Sequence, residues 1–303
     1  MNKALFLSKF ISFLTLLLFL SLFAIPALGL SSDWVINDKS KVRLISSKSS
    51  VDNVEEIVLG LEYKLEPGWK TYWKSPGGGG FPQKIIWNNS KNIKDIIINW
   101  PNPKAFEILG LTSLGYEERV IFPLTVKLQN ANKLTRVNLN INYLVCKDIC
   151  IPGNANLFLE IESGNGEYSE FFHEIEKIRS LLPNEKINLS PLKKLDTEIK
   201  KYSDKININI IAESNSSFIN TNIFLHTPFG LPVVTPINNY SFNLNKINST
   251  FTFPLNQFSK DNFPLEILLY DKNHNFKLIK NVSVEESMPL INNTILFIFL
   301  ISI

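Results

Sequence analysis

Cys146 and Cys150 are the two cysteines of a 303-residue chain, and three residues separate them. Thiols so placed support two chemistries: a disulfide that exchanges with other thiols, or a pair of thiolate ligands to a metal. A metal site needs further ligands, and His173, His226 and His274 are dispersed and read as ordinary surface or helix histidines. Met1 and Met288 are the only methionines, which excludes a Met-rich copper site. In a fully extended strand, Cα atoms four residues apart lie about 13 Å from one another, beyond the roughly 7 Å that a disulfide spans. Bonding therefore requires a turn at Lys147–Ile149. A ring of roughly five residues stabilises a fold by only about 2 kcal/mol in the loop-entropy model. Disulfides in tight turns depart from ideal geometry, and strained, exposed ones are the reducible ones. Exchange is the favoured chemistry, and a structural staple is the alternative. The pair is not a thioredoxin motif, which has two intervening residues and a βαβ setting.

The elements around the pair must supply that turn. TRVNLNINYLV (135–145) alternates, with Val137, Leu139, Ile141, Tyr143 and Val145 on one face and Arg136, Asn138, Asn140 and Asn142 on the other, which predicts a half-buried antiparallel strand. An apolar run, Leu157 to Ile161, follows Ile151-Pro152-Gly153, so the cysteines fall at a junction of two strands at a sandwich edge. Further β-type runs, EEIVLGLEYKL (55–65), KDIIINW (94–100) and RVIFPLTVKL (119–128), come without intervening helices and argue for a β-sandwich. Between Ser169 and Leu182 the period changes: Phe171, Phe172, Ile175, Ile178, Leu181 and Leu182 predict one amphipathic helix, closed by Pro183. The polar stretch 184–204 reads as linker, and β-type runs from 205 to 286 predict a second, smaller sandwich without cysteine, a structural or docking module.

PGWKTYWKSPGGGGFP (67–82) gathers aromatics and glycines. No Gly-Lys-Ser/Thr follows, so it is no phosphate loop. It reads either as a loop flanked by Trp69, Tyr72 and Trp73 that covers something, or as a plain loop whose aromatics belong to the core. Phe106, Leu109, Gly110 and Tyr116 form a second such stretch.

Lys3 and Lys9, the apolar run Phe10 to Ile25 and the small residues Ala27 and Gly29 lay out a secretory signal over residues 1–29. Export places the thiol pair in an oxidising compartment, where it forms a disulfide. Lys and Arg (31) nearly balance Asp and Glu (28) and are scattered, which argues against a nucleic-acid partner. The tail TILFIFLISI (294–303) is about half the length a membrane helix needs; residues 289–303 are expected to begin a transmembrane helix of a longer protein, or to touch the membrane surface.

Three ordered motifs, GWKTYWKSPGGGGFP (68–82), NWPNPKAFEILGLTSLGYEERVIFPL (99–124) and NYLVCKDICIPGNANLFLEI (142–161), resemble the periplasmic N-terminal region of the DsbD family of thiol:disulfide interchange proteins, in its ScsB-like branch. The resemblance covers about residues 33–165 well and the second sandwich loosely. It implies an immunoglobulin-like catalytic domain; with the strand pattern read above, the chain is expected to be mainly β, with two immunoglobulin-like β-sandwich domains, 30–165 and 205–288, joined by a helix and linker (166–204). It also implies a protein-disulfide reductase that needs no cofactor. Such a domain takes electrons from a thioredoxin-like donor, itself fed through a membrane domain, and passes them to oxidised periplasmic proteins. Cys146 and Cys150 align with the family's redox pair, with Cys150 the interchanging sulfur; Lys147 would favour its thiolate and Asp148 oppose it. Trp69, Tyr72, Trp73, Phe106 and Tyr116 would form walls or a cap around the disulfide. No complete membrane domain or thioredoxin-like domain follows Ile303, so the donor is expected either in a longer or split chain or on a separate polypeptide. An envelope adaptor with a structural disulfide and a copper-tolerance protein are the alternatives.

Overall fold

The structure is a computed structural model that describes residues 30–108, 110–185, 191–258 and 260–286. The signal segment 1–29, the apolar tail 289–303 and Leu109 lie outside the described residues. Eleven strands precede the helix: β1 (Val35–Asn37), β2 (Ser40–Ser46), β3 (Glu56–Leu65), β4 (Lys70–Gly77), β5 (Lys84–Ile86), β6 (Ile93–Ile98), β7 (Lys104–Ile108), β8 (Leu111–Glu117), β9 (Arg119–Leu128), β10 (Thr135–Cys146) and β11 (Cys150–Ile161). They form a five-stranded sheet ordered β1-β2-β3-β9-β6 and a six-stranded sheet ordered β11-β10-β4-β8-β7, with β5 also paired to β10. The named pairings within both sheets are antiparallel.

Alternation decides what enters the space between these sheets. Val137, Leu139, Ile141, Tyr143 and Val145 of β10 are buried there with Leu59, Leu61 and Tyr63 of β3 and Phe122, Leu124 and Val126 of β9. Edge-to-face aromatic pairs tie the two layers, Tyr63 to Tyr143 at 5.1 Å and Phe122 to Tyr116 at 5.0 Å, while Tyr63 and Phe122 meet at 5.7 Å within the five-stranded sheet. Such pairs add about 0.5–1.5 kcal/mol each beyond the area they bury.

The predicted helix is α1 (Phe172–Ser180), which lays Ile175 on Ile45, Val58 and Ile121 of the five-stranded sheet's outer face. Beside it the fully buried Glu62 accepts from Arg43 Nε at 2.7 Å and Arg119 at 2.6 Å, and Arg119 reaches on to Glu174 of α1. A carboxylate shut away from water persists only with such partners.

The second sandwich contains β12 (Leu192–Lys201), β13 (Lys205–Ser214), β14 (Asn222–His226), β15 (Ile237–Tyr240), β16 (Lys246–Pro254), β17 (Asn262–Tyr270), β18 (Asn275–Ser283) and β19 (Glu285–Glu286). One sheet runs β15-β16-β13-β12-β19 and the other β14-β17-β18, around a separate core that includes Ile208, Ile210, Phe251, Leu265 and Ile267. The stretch expected as linker, 184–204, carries β12, which pairs with β13 along its length. Its apolar residues Leu192, Leu195 and Ile199 miss strict alternation because the register shifts between Leu192 and Lys194, and the intervening residues are Lys, Asp, Thr and Glu. The outer face of the β14-β17-β18 sheet turns Leu268, Phe224 and Tyr270 against the core of the first sandwich.

Candidate functional site

β10 and β11 form one hairpin whose ladder runs from Thr135↔Ile161 to Cys146↔Cys150, so the cysteines are the last pair before the turn. Lys147, Asp148 and Ile149 make that turn, closed by Lys147 N–H donating to Ile149 O at 3.0 Å. The expected disulfide is present, with an S–S distance of 2.05 Å and Cα atoms 4.1 Å apart. The two sulfurs differ in access: Cys146 is 0% exposed, Cys150 is half-buried, and Ile149 beside it is 61% exposed. Gly153, opposite Tyr143 in the ladder, belongs to this geometry. A Cβ there would lie 2.3 Å from Tyr143 Cζ, so only glycine lets the ring cross the edge strand. The Tyr143 hydroxyl then reaches Ser40 Oγ at 2.8 Å and accepts from Asn37 Nδ2 at 2.8 Å.

The disulfide lies on the outer face of the six-stranded sheet. Leu144, two residues before Cys146, shares that face, and so do Tyr72 of β4 and Ile108 of β7, with Phe106 packed alongside. Tyr72 pairs with Gly115 on β8, where the strands approach so closely that a Cβ on Gly115 would lie 1.9 Å from Thr71 O. The Tyr72 and Phe106 rings meet at 6.2 Å. Tyr72 Oη lies 3.8 Å from Cys150 Sγ and donates to Gly79 O at 3.0 Å. The glycine run arches over this ring: a Cβ on Gly80 would sit 2.3 Å from Tyr72 Cζ. Burial pushes the Tyr72 hydroxyl above the usual phenol range, so it stays protonated beside the sulfur. Lys70, on the same strand face as Tyr72, holds its ammonium 5.5 Å from the Phe106 ring centroid and 3.2 Å from Glu117.

Of the residues expected in the wall, Tyr72 and Phe106 are brought to the disulfide. Trp69, Trp73 and Tyr116 are not: their side chains join the core between the sheets. Neighbours on a strand point to opposite faces, so Trp73 cannot share Tyr72's side. The register between β4 and β8 also breaks between Tyr72 and Gly77. Trp73, within that irregular stretch, meets His226 of the second sandwich edge-on at 6.1 Å. Two wall residues were missed, Ile108 and Leu144. Leu144 carried a usable signal, its spacing of two from Cys146; Ile108 carried none until β7 was placed.

Among the described residues no three His, Cys, Asp or Glu side chains gather into a metal-binding group. What the arrangement can do is thiol–disulfide exchange at Cys150, whose sulfur is the reachable one, inside an apolar surround that shields Cys146.

Residues 42–161 match the family model described as "Thiol:disulfide interchange protein DsbD, N-terminal". Among solved structures the chain is similar to the N-terminal periplasmic domain of ScsB from Proteus mirabilis, at 21% identity and a TM-score of 0.67, with 85% of this chain and 100% of that chain covered. No curated protein matches.

Proposed function

Residues 42–161 form a DsbD-family N-terminal domain, and from that premise we propose that the protein carries out thiol:disulfide interchange through Cys146 and Cys150 in the periplasm. It relays electrons from a thioredoxin-like donor to oxidised envelope proteins. The observation that carries this reading is the asymmetry of the pair: a half-buried Cys150 at the hairpin turn, bonded to a Cys146 without solvent access. A partner's thiolate meets Cys150 first.

In the reducing half-cycle a donor thiolate attacks Cys150 Sγ and the sulfur–sulfur bond breaks. Cys146 leaves as thiolate and takes up a proton. The donor's second thiol attacks the mixed disulfide, frees Cys150 and closes the donor's own disulfide; two electrons and two protons have moved to the pair. In the second half-cycle Cys150 thiolate attacks a client disulfide, and Cys146 resolves the mixed disulfide, which returns the pair to its oxidised form with the client reduced. The ScsB domain that this chain resembles is described as periplasmic, which, with the signal-like segment 1–29, supports the location.

The test is the reduction potential of the pair, by equilibration in graded thiol buffers. An exchangeable centre is expected well above the roughly −300 mV below which structural disulfides lie. A value below that, with the fold lost on reduction, makes the bond a staple and the protein an adaptor.

A further inference from the structure

The second sandwich holds no cysteine, yet its contacts converge on the two segments that wall the disulfide. From this we infer that it positions the cover of the redox centre, with Glu266 and Val233 as positioning residues acting on β4 and the glycine run. The inference rests on the exchange function proposed above and adds to it a role for the second sandwich.

The first segment is the second half of β4 and the glycines after it. Lys74, two residues beyond Tyr72 in the stretch where the β4–β8 register breaks, is 2.5 Å from Glu266 Oε2 on β17, with side chains only 18% and 9% exposed. Trp73 rests on the His226 ring, and His226 pairs with Glu266 across β14 and β17. Gly77 has φ of +85°, which disfavours any side chain, and the position its Cβ would take lies 2.7 Å from Val233 Cγ2, in the loop between β14 and β15. Val233 therefore presses on the residue from which Gly78–Gly80 depart to cover Tyr72. The second segment is the entry to β7. Tyr270 Oη donates to Pro103 O, and Asn102 Nδ2 donates to Asn275 Oδ1 at 2.9 Å. Three residues after Pro103, Phe106 closes the other side of Tyr72.

The joint is firm in position and modest in strength. Trp73 Nε1, His226 Nδ1 and Glu266 Oε1 are buried without a protein hydrogen-bond partner. Such groups oppose burial, so separation of the sandwiches is favoured at these atoms and opposed at the Lys74–Glu266 pair. Loosening the joint removes the support of the Gly77–Gly80 arch without touching a cysteine or Tyr72.

The experiment measures the rate at which dithiothreitol reduces the Cys146–Cys150 bond in the full chain, two electrons passing from the dithiol, which closes to its own cyclic disulfide. Variants Glu266→Gln and Val233→Ala are compared with Thr250→Ala, on β16 in the other sheet of the second sandwich. Gly80→Ala, which pushes the arch off the Tyr72 ring directly, sets the scale for an uncovered bond. Thermal melting establishes that each variant is folded. Expected are rates about tenfold above the parent for Gly80→Ala, Glu266→Gln and Val233→Ala, equivalent to about 1.4 kcal/mol of closing free energy, and no change for Thr250→Ala. If Gly80→Ala is fast while Glu266→Gln and Val233→Ala match the parent, the second sandwich does not position the cover. If all four match the parent, the arch is not a cover and the inference also falls. Failure of the exchange reading itself shows separately, as a parent reduction potential in the structural range. Should Val233→Ala melt early, Glu266→Gln, nearly isosteric, decides alone.

Discussion

Among the described residues, two places gather residues of reactive type, and they differ in what remains unspent. At the tip of the β10–β11 hairpin, one sulfur of the pair reaches the surface. In the second sandwich His274 lies 2.8 Å from Asp271 Oδ1 through Nδ1 and 2.7 Å from Ser214 Oγ through Nε2, the residue types of a hydrolytic triad. Yet His274 and Ser214 are each 2% exposed. Ser214 Oγ donates to Pro191 O at 3.0 Å and accepts from Ser216 N, while Asp271 also accepts from Thr221 Oγ1 and from the backbone at Ile219, Asn273 and His274. That constellation binds three loops together and has no free valence to offer a substrate. Reactive types in proximity make a site only where an atom is reachable and its bonding capacity is not already used.

The contrast breaks most sharply under substitution of the cysteines. Cys146→Ser with Cys150→Ser is expected to abolish reduction of a model disulfide substrate while lowering unfolding free energy, followed in urea, by only about 2 kcal/mol. Exchange that survives in this variant would move the activity elsewhere. The mirror experiment is His274→Ala, which strands buried partners at Ser214 and Asp271. It should cost about 2–3 kcal/mol of stability and leave the exchange rate of the folded protein unchanged. A selective loss of exchange would assign the second constellation to function. Phe106→Ala sharpens the first region alone. Opening one wall should raise the alkylation rate of reduced Cys150 by about fivefold, with stability lowered by only about 1 kcal/mol because Phe106 is already partly exposed.

The smallest effect concerns His226. Burial first, and then Lys74, hold its imidazole below the ordinary value of 6.5, against the pull of Glu266. The unfolded state therefore binds the proton more readily than the native one. Stability from this group is complete above pH 6.5 and declines as the pH falls from there towards the native value. Acidification should lower the melting temperature slightly, and His226→Gln should flatten that part of the profile. A profile unchanged in His226→Gln would trace the acid loss to other groups.

Most of the first sandwich was legible because its strands are half-buried, so sequence alternation and spatial alternation coincide, as in Val137 to Val145. The disulfide turn was legible from chain reach alone. The aromatic wall was only half legible: Trp69, Tyr72 and Trp73 advertise a cluster, but which of them faces the sulfurs is a question of strand parity, settled by the pairing of Tyr72 with Gly115. β12 hid behind its irregular register and its charges. Lys74 and Glu266, 192 residues apart, carry no local signal at all.

The hairpin ladder has one further consequence, and it concerns the lifetime of covalent complexes. Register continues unbroken from Thr135↔Ile161 up to the cysteines, so cleavage of the bond frees a three-residue tip and leaves the strands zipped. On the proposed exchange reading, when another protein captures Cys150, Cys146 stays directly across the same rung, anchored in its strand. On that reading a wrong partner is held beside its own means of ejection, and encounters that lead nowhere clear themselves without help from a second protein.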